Sequence, residues 1–506
     1  MLEHDSCNIR IGGTFSKFHL MSFLGLMICN ASSGYLIYNL VFLLLFPKYQ
    51  CLDDSGNAIP CKRLQTCENP SFFEEPILNN WIQDFDLRCR SNFTIGLFGS
   101  MFFIGKVVGM MFLSQMGDSV GRIKLLRISQ VATFICFFMI TFIIKDSKNL
   151  LLPIFITGLL SCWRTNLSYI YVQELFSSKF KSIAGTLFLV NDVMTMLYST
   201  MFFQYVSTEW THLFYIVLTI MAMSIFILFQ MPESPSFLYE TSKFFEAEAA
   251  YNVIARFNGK RPINVEIPAD RSFISEDGTI TILSFDEPSL GDKLRDSAFR
   301  SKMLLTILFW IGCEFCFFMI GFHMKYMPGN IFDIITLQAM VTCIAFTSGG
   351  VISKKIGTKQ CIAMSFCMAT FGSYLMIKVP GSLGLELPLL IFTKFGVDCG
   401  YSQVMAYTTS EFPAYLTSQV LGICNIFSSM AGILAPQIAE MDDPIPMWVC
   451  FGICLISLVG SIKPEVKSVP EEEDIDLDNS YSILKRVFEE KIIIESPKKD
   501  DFVKLY

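Results

Sequence analysis

Five ionisable residues stand inside long apolar runs of this sequence: Arg164, Asp192, Glu314, Lys394 and Asp398. A charge held at mid-bilayer is expensive, so it faces a cavity or a partner. The flanking charges give a depth. Ten residues separate Arg164 from Glu174, and eleven separate Lys181 from Asp192. On a helix both therefore lie about 15 Å from their ends. The two runs are consecutive and antiparallel, which places Arg164 and Asp192 to pair. Glu314 follows Lys302 by twelve residues, a similar depth, and Lys394 and Asp398 share one helix face at i and i+4.

Such residues can bind a small organic ion or pass a proton. Two positive and three negative charges leave a net −1 if all five line one cavity. That balance favours an organic cation or a zwitterion over an anion. Phe309, Trp310, Phe315, Phe317, Phe318 and Tyr401 lie beside these charges in sequence and offer faces to a cationic head. The competing reading is structural: ion pairs that hold helices together, and aromatic rings that pack or meet lipid.

The elements that position these residues follow from composition. Of 506 residues, 52% are hydrophobic and only 17% charged, with 49 phenylalanines. Soluble domains carry about 25% charged residues, so a polytopic membrane protein is expected. A helix needs about 20 apolar residues to cross a bilayer. Twelve segments qualify: 18–46, 93–115, 124–145, 150–173, 182–206, 212–231, 303–325, 332–352, 360–378, 386–409, 418–438 and 446–462. The expected organisation is an N-terminal tail 1–17, a six-helix half 18–231, a linker 232–302, a second half 303–462 and a tail 463–506. Lys and Arg gather in alternate short loops and in the linker, which predicts both termini on the cytoplasmic side. The loop 47–91 then lies on the other side. Its Cys51, Cys61, Cys67 and Cys89 suit two disulfides, with three connectivities open. The N-terminus has no basic segment followed by a short apolar core, so no cleaved leader is expected.

The loop after the second segment reads "GKVVGMMFLSQMGDSVGRIK". Gly105 and Gly109 share a helix face and permit close helix contact. Asp118, Gly121 and Arg122 then form a tight turn with an acid beside bases, a charge latch. The next loop on that side, "QELFSSKFKS", carries Glu174 and Lys181. At "QMPESPSFLY" Pro232 ends an apolar run, and Ser234 or Glu233 can cap a helix restarting at Pro235. The segment "EAEAAYNVIARFNG" continues as a helix ending at Gly259.

These motifs, with "DLRCRSN", "TKFGVDCGYSQVMAYTTSEFP" and "GILAPQI", resemble the major facilitator superfamily, most closely its organic cation, organic anion and carnitine transporter branch. The resemblance covers nearly the whole chain. It implies an all-α fold of twelve transmembrane helices in two halves that rock about a midplane site. It also implies that Asp118, Gly121, Arg122, Glu174, Lys181, Glu233 and Glu411 belong to a cytoplasmic gate. Lys394 matches a basic site position of the family. Ser429 falls where cation carriers of the family tend to have Asp and anion carriers Arg.

The second half departs from the pattern. In "SKKIGTKQ", Lys354 replaces the acid and Thr358 an arginine, and Thr417 stands where a base would align with Glu411. Ser236 and Phe237 replace the Arg and Trp of the family's signature after its sixth helix.

The expected function is secondary transport of a small organic ion, with Arg164, Asp192, Glu314, Lys394, Asp398, Trp310, Tyr401 and Ser429 as the candidate site. The alternative is a transporter-derived structural subunit of a larger membrane complex. No phosphate-binding loop and no histidine spacing for a metal is present, so neither an enzyme nor a metal or other cofactor is expected. The net charge of −7 argues against a nucleic-acid partner. The plasma membrane is the favoured location, with an organelle membrane such as the mitochondrial inner membrane as the alternative. In the tail, "NSYSILKRVFEEKIIIE" has an apolar face at helical spacing that could dock a protein partner.

Overall fold

The computed structural model describes residues 16–462 apart from 53–57, 61–71, 76, 114–115, 117–119, 177–179, 242, 264–272, 275–279, 282–289, 380–383 and 413. Twelve long helices dominate: α1 Lys17–Ile37, α2 Asn92–Leu113, α3 Arg122–Phe138, α4 Ser147–Leu175, α5 Lys181–Tyr205, α6 Trp210–Gln230, α7 Ser297–His323, α8 Ile331–Ile356, α9 Thr358–Lys378, α10 Glu386–Glu411, α11 Ala414–Gly432 and α12 Ile445–Ile462. Ten spans among the described residues are long and apolar enough to cross a membrane. Helices α5 and α10 fall short of that measure. The reason is visible in α10, which carries Glu386, Lys394, Asp398 and Glu411.

Most boundaries lie within a few residues of the sequence expectation. Helix α3 gives way at Phe138 to a π-helical turn, Met139–Ile143, and α7 starts six residues early because Asp296 caps it, accepting from the backbone N–H groups of Ala298 and Phe299 at 3.1 and 3.3 Å. The first and eleventh expected segments each break once. Leu40–Leu43 continues α1 after a turn, and Ala435–Ala439, with Pro436 in its first turn, follows α11.

Close helix contact appears where Gly105 and Gly109 led one to expect it. A Cβ on Gly105 would lie 2.1 Å from the carbonyl oxygen of Phe155, and one on Gly109 2.1 Å from that of Leu159. The backbones of α2 and α4 touch, which in a bilayer replaces the missing hydrophobic drive for association.

At "MPESP" the chain leaves α6 after Gln230, and Ser234 caps the short helix Pro235–Glu240, accepting from the Phe237 N–H at 3.4 Å. The helix Phe244–Phe257 packs on the short helix through Ala247 and Ala250 and on the bundle through Tyr251, Ile254 and Ala255. Gly259 ends it at φ +68°, with its N–H donating to the Arg256 carbonyl at 3.1 Å. Asn258 ties this helix to the start of α1: its side-chain oxygen accepts from the Phe18 N–H at 3.0 Å, and its amide donates to Ser16 Oγ at 2.9 Å.

The loop between α1 and α2 holds a small antiparallel sheet in the order β2 Ala58–Pro60, β1 Lys48–Leu52, β3 Phe72–Glu75. Of the four cysteines of this loop, Cys51 lies on β1 and Cys89 just before α2, while Cys61 and Cys67 lie outside the described residues. The tail helix also lies outside them.

Candidate substrate site and latch

A small cavity of about 20 Å³, room for about one water, opens between α1, α5, α7 and α8. Tyr38, Phe317 and Phe318 line it, with Gln338 and Thr342 as its polar members. The rings of Tyr38 and Phe318 stack at 6.2 Å, and Phe317 packs on Tyr401 at 5.7 Å. Two carboxylates stand just behind this wall. The Tyr38 hydroxyl donates to Asp192 at 3.0 Å, and Thr342 Oγ1 donates to Asp398 at 2.5 Å. Gly34 admits Asp192 to α1, since a Cβ there would lie 3.0 Å from Asp192 Oδ1.

Arg164 and Asp192 do not pair, contrary to the expectation from depth. Arg164 is fully buried and donates to Ser32 Oγ at 3.1 Å and to the Thr157 carbonyl at 2.9 Å. Asp192 meets α1 at Gly34 instead. Positions 32 and 34 are about 200° apart around a helix, so α1 itself separates the two charges. A depth read from the sequence carries no information about azimuth.

The other charges do pair. Glu314 on α7 accepts from Lys106 of α2 at 2.5 Å, from Ser429 at 3.1 Å and from Ser428. Lys394 and Asp398 form an ion pair at 2.8 Å, both fully buried, and the Lys394 ammonium stands 3.3 Å from the Phe317 ring centroid. Lys106 is the residue the sequence reading passed over. Its signal was the same as for the other five, a charge inside an apolar run, but the flanking glycines drew it into the packing motif. With Lys106 counted, three positive charges face three negative ones, and the net −1 disappears.

The aromatic candidates divide. Phe317 and Phe318 line the cavity, and Tyr401 backs Phe317. Trp310 is buried and donates from its indole to Thr408 Oγ1 at 3.0 Å, and Phe309 and Phe315 are buried in the core. Ser429 binds Glu314 and so reports on that carboxylate.

Contacts between the first six and the last six helices run from the end bearing the loop 47–91 down to mid-bundle. Asn92 Nδ2 donates to the Glu440 carbonyl at 3.1 Å, and Ser100 Oγ to that of Ile433 at 2.7 Å. Gly96 and Gly99 lie against Gln437 and Pro436. Below them come the Lys106–Glu314 pair and a 3.7 Å contact of Cys343 with Met194. Just beyond the bundle at this end, the His323 imidazole lies 3.2 Å from Asp443 and holds that carboxyl below the usual range.

The opposite end carries the latch. Arg122, at the start of α3, pairs with Glu174 at the end of α4, and its guanidinium lies 4.5 Å from the Phe237 ring centroid. Glu233 caps α3, accepting from the Ile123 N–H at 3.2 Å, and also accepts from the Ser234 N–H at 3.1 Å. Of the two sequence candidates for capping the restarted helix, Ser234 therefore takes that role and Glu233 serves α3. Ser236 Oγ donates to the Glu174 carbonyl at 3.3 Å. The latch thus joins α3, α4 and the linker. Asp118 lies outside the described residues, as does the side chain of Lys181. In the second half Glu411 accepts instead from Lys302 of α7 at 2.8 Å.

The Major Facilitator Superfamily model matches residues 76–436. A Xenopus laevis solute carrier family 22 member 15-like protein is 25% identical over 417 residues, spanning 80% of this chain and 83% of that one. A rabbit (Oryctolagus cuniculus) solute carrier family 22 member 1 is 22% identical, over 84% and 77% of the two chains. The human organic cation/carnitine transporter 2 is 21% identical, over 80% and 72%. Among solved structures, the xylose transporter of E. coli in a partially occluded inward-open conformation aligns with a TM-score of 0.60 at 12% identity, over 89% of this chain and 98% of that one. The matched family, the fold and the latch agree: this multi-pass membrane chain belongs to the Major Facilitator Superfamily, as a divergent relative of solute carrier family 22.

Proposed function

We propose that the chain is a secondary transporter that moves a small organic cation, or a zwitterion carrying one, by alternating access. Asp192 carries this reading. It is a partly exposed carboxylate held by a phenol, with no basic ion-pair partner among the described residues, beside an aromatic cavity between the two halves. A cationic head gains there from a carboxylate and from the faces of Tyr38, Phe317 and Phe318. Glu314 adds a second acidic point, and Lys394 with Asp398 a buried dipole behind the ring of Phe317. Arg164, tied to α1 and α4, fits a structural role. The human relative is named for organic cations and carnitine, the same charge classes.

A cavity of about 20 Å³ is too small for such a substrate, since ligand sites typically run to about 300 Å³ or more. The halves must therefore part to admit it. In this reading all twelve helices cross the plasma membrane, the latch and both termini are cytoplasmic, and the loop 47–91 is external. Residues 18–231 and 303–462 are the rocking halves, joined by the linker 232–302.

Uptake into proteoliposomes of labelled tetraethylammonium, carnitine and an aromatic carboxylate tests the proposal. Saturable uptake of the first or second is expected, and uptake of the carboxylate alone would refute it. The small cavity and the uncharged Thr358 and Thr417 favour a second reading, a structural subunit that has lost transport. Copurification with other membrane proteins at fixed stoichiometry, without saturable uptake of any of the three, would support that instead.

A further inference from the structure

Three cysteines converge inside the second half. Cys316 of α7 and Cys450 and Cys454 of α12 are each fully buried, and their sulfurs all lie within 4.8 Å of one another. Cys316 and Cys454 are 3.7 Å apart. Cys450 and Cys454 are one helical turn apart, so α12 presents both to the single thiol of α7. The short spacings Cys313-x-x-Cys316 and Cys450-x-x-x-Cys454 are visible in the sequence, but Cys316 and Cys450 are 134 residues apart, and only the fold shows that Cys316, without Cys313, meets the pair on α12.

A buried cysteine usually behaves as a small apolar residue, and one or two would need no other account. Three sulfurs directed at one point are a donor set. A metal–sulfur bond of about 2.3 Å in a trigonal plane puts the sulfurs about 4.0 Å apart. One separation already lies near that value, and the others need to contract by less than about 1 Å. Among the described residues no histidine or carboxylate completes a tetrahedron around them. Zinc prefers four ligands in a structural site, whereas thiolate softness without a fourth donor selects Cu(I). We propose that Cys316, Cys450 and Cys454 form a three-sulfur site for a soft monovalent metal ion, Cu(I), that clamps α7 to α12.

Binding is simple ligation without redox change. Each thiol that ligates gives up its proton, and the ion stays Cu(I). The Lys394–Asp398 ion pair stands nearby, with its ammonium 3.4 Å from the carbonyl of Phe317, the residue after Cys316. Such a clamp would do in lipid what burial does in water, because helices there gain nothing from hiding apolar surface from one another.

The test uses the full-length protein, purified in reductant from copper-supplemented cells and then offered Cu(I) from a weak chelator. About one copper per chain is expected, with X-ray absorption showing three sulfurs at about 2.3 Å. Cys454→Ser and Cys450→Ser should each lower the bound copper roughly tenfold, while Cys367→Ser, at an exposed thiol elsewhere, should leave it unchanged. Copper that is absent from the loaded wild type, or retained in both serine variants, overturns the proposal. If the serine variants do not fold, the wild-type spectrum decides, and oxygen or nitrogen scattering in place of three sulfurs refutes the site.

Discussion

The turns at Gly121 and Gly357 are the same backbone with different chemistry around it. Gly121 precedes α3 at φ +99° and ψ 153°, and Gly357 precedes α9 at φ +91° and ψ 152°. Both use the conformation that glycine enters without strain. Around Gly121 stand Arg122, its partner Glu174 and the capping carboxylate of Glu233. Around Gly357 the arginine is Thr358, and the side-chain oxygen of Gln360 occupies the space that Glu233 fills in the first half. Glu411, the counterpart of Glu174, has turned to Lys302. The repeat has kept its backbone and lost its charges on one side. Backbone geometry is fixed by the packing of whole helices, whereas a surface charge pair can drift once its partner is gone. The latch load therefore falls on the first half, where the linker also attaches.

The largest effect should come from Arg122→Ala. It leaves Glu174 without its cation in a site where both side chains are mostly shielded. A loss of about 3 kcal/mol is expected, read as a lowered midpoint in thermal unfolding of the detergent-purified protein. A change below about 1 kcal/mol, the range of an exposed pair, would mean that the first-half latch is no stronger than the second. Next come the two glycines. Gly121→Ala should cost about 2 kcal/mol, because the left-handed backbone is strained and the new Cβ would meet Glu233 at 2.5 Å. Glu233 is fixed by two backbone N–H groups and cannot easily yield. Gly357→Ala should cost only about 1 kcal/mol of backbone strain, because Gln360 is a flexible side chain that can swing away. Equal costs at the two sites would erase the contrast.

Smaller still is Lys302→Ala, at about 0.5 kcal/mol, since the Lys302 and Glu411 side chains are a quarter to a third exposed. Combining it with Thr358→Arg sharpens the comparison. If Glu411 is a latch acid that has lost its base, the added arginine should recover most of that loss, and the same arginine should add less when Lys302 is present. No coupling between the two changes would show that Glu411 no longer serves a latch.

Much of this contrast was legible in the sequence. Gly121 and Arg122 announced a charged turn in the first half, and Thr358 an uncharged one in the second, while Asp118 lies outside the described residues. Of the twelve apolar runs, ten coincide with spans long and apolar enough to cross a membrane among the described residues, and Gly105 with Gly109 located a backbone contact that the structure shows. What stayed hidden depends on rotation and on distance along the chain. Arg164 meets α1 at Ser32 and Asp192 meets it at Gly34, on different sides of that helix. Lys106 and Glu314 are 208 residues apart and meet only because the halves close on each other. The capping role of Glu233 reaches back 110 residues to Ile123, which no local pattern encodes.

The account turns on Asp192 as the carboxylate that recognises a cation. Initial rates of tetraethylammonium uptake in proteoliposomes, compared between the wild type, Asp192→Asn and Arg164→Lys, test this most directly. The asparagine keeps size and hydrogen bonding to Tyr38 but removes the charge, so uptake should fall roughly tenfold or more while thermal stability is maintained. The lysine, at a site read as structural, should lower stability more than it lowers the uptake rate per folded molecule. Undiminished, saturable uptake by a folded Asp192→Asn variant would contradict the account.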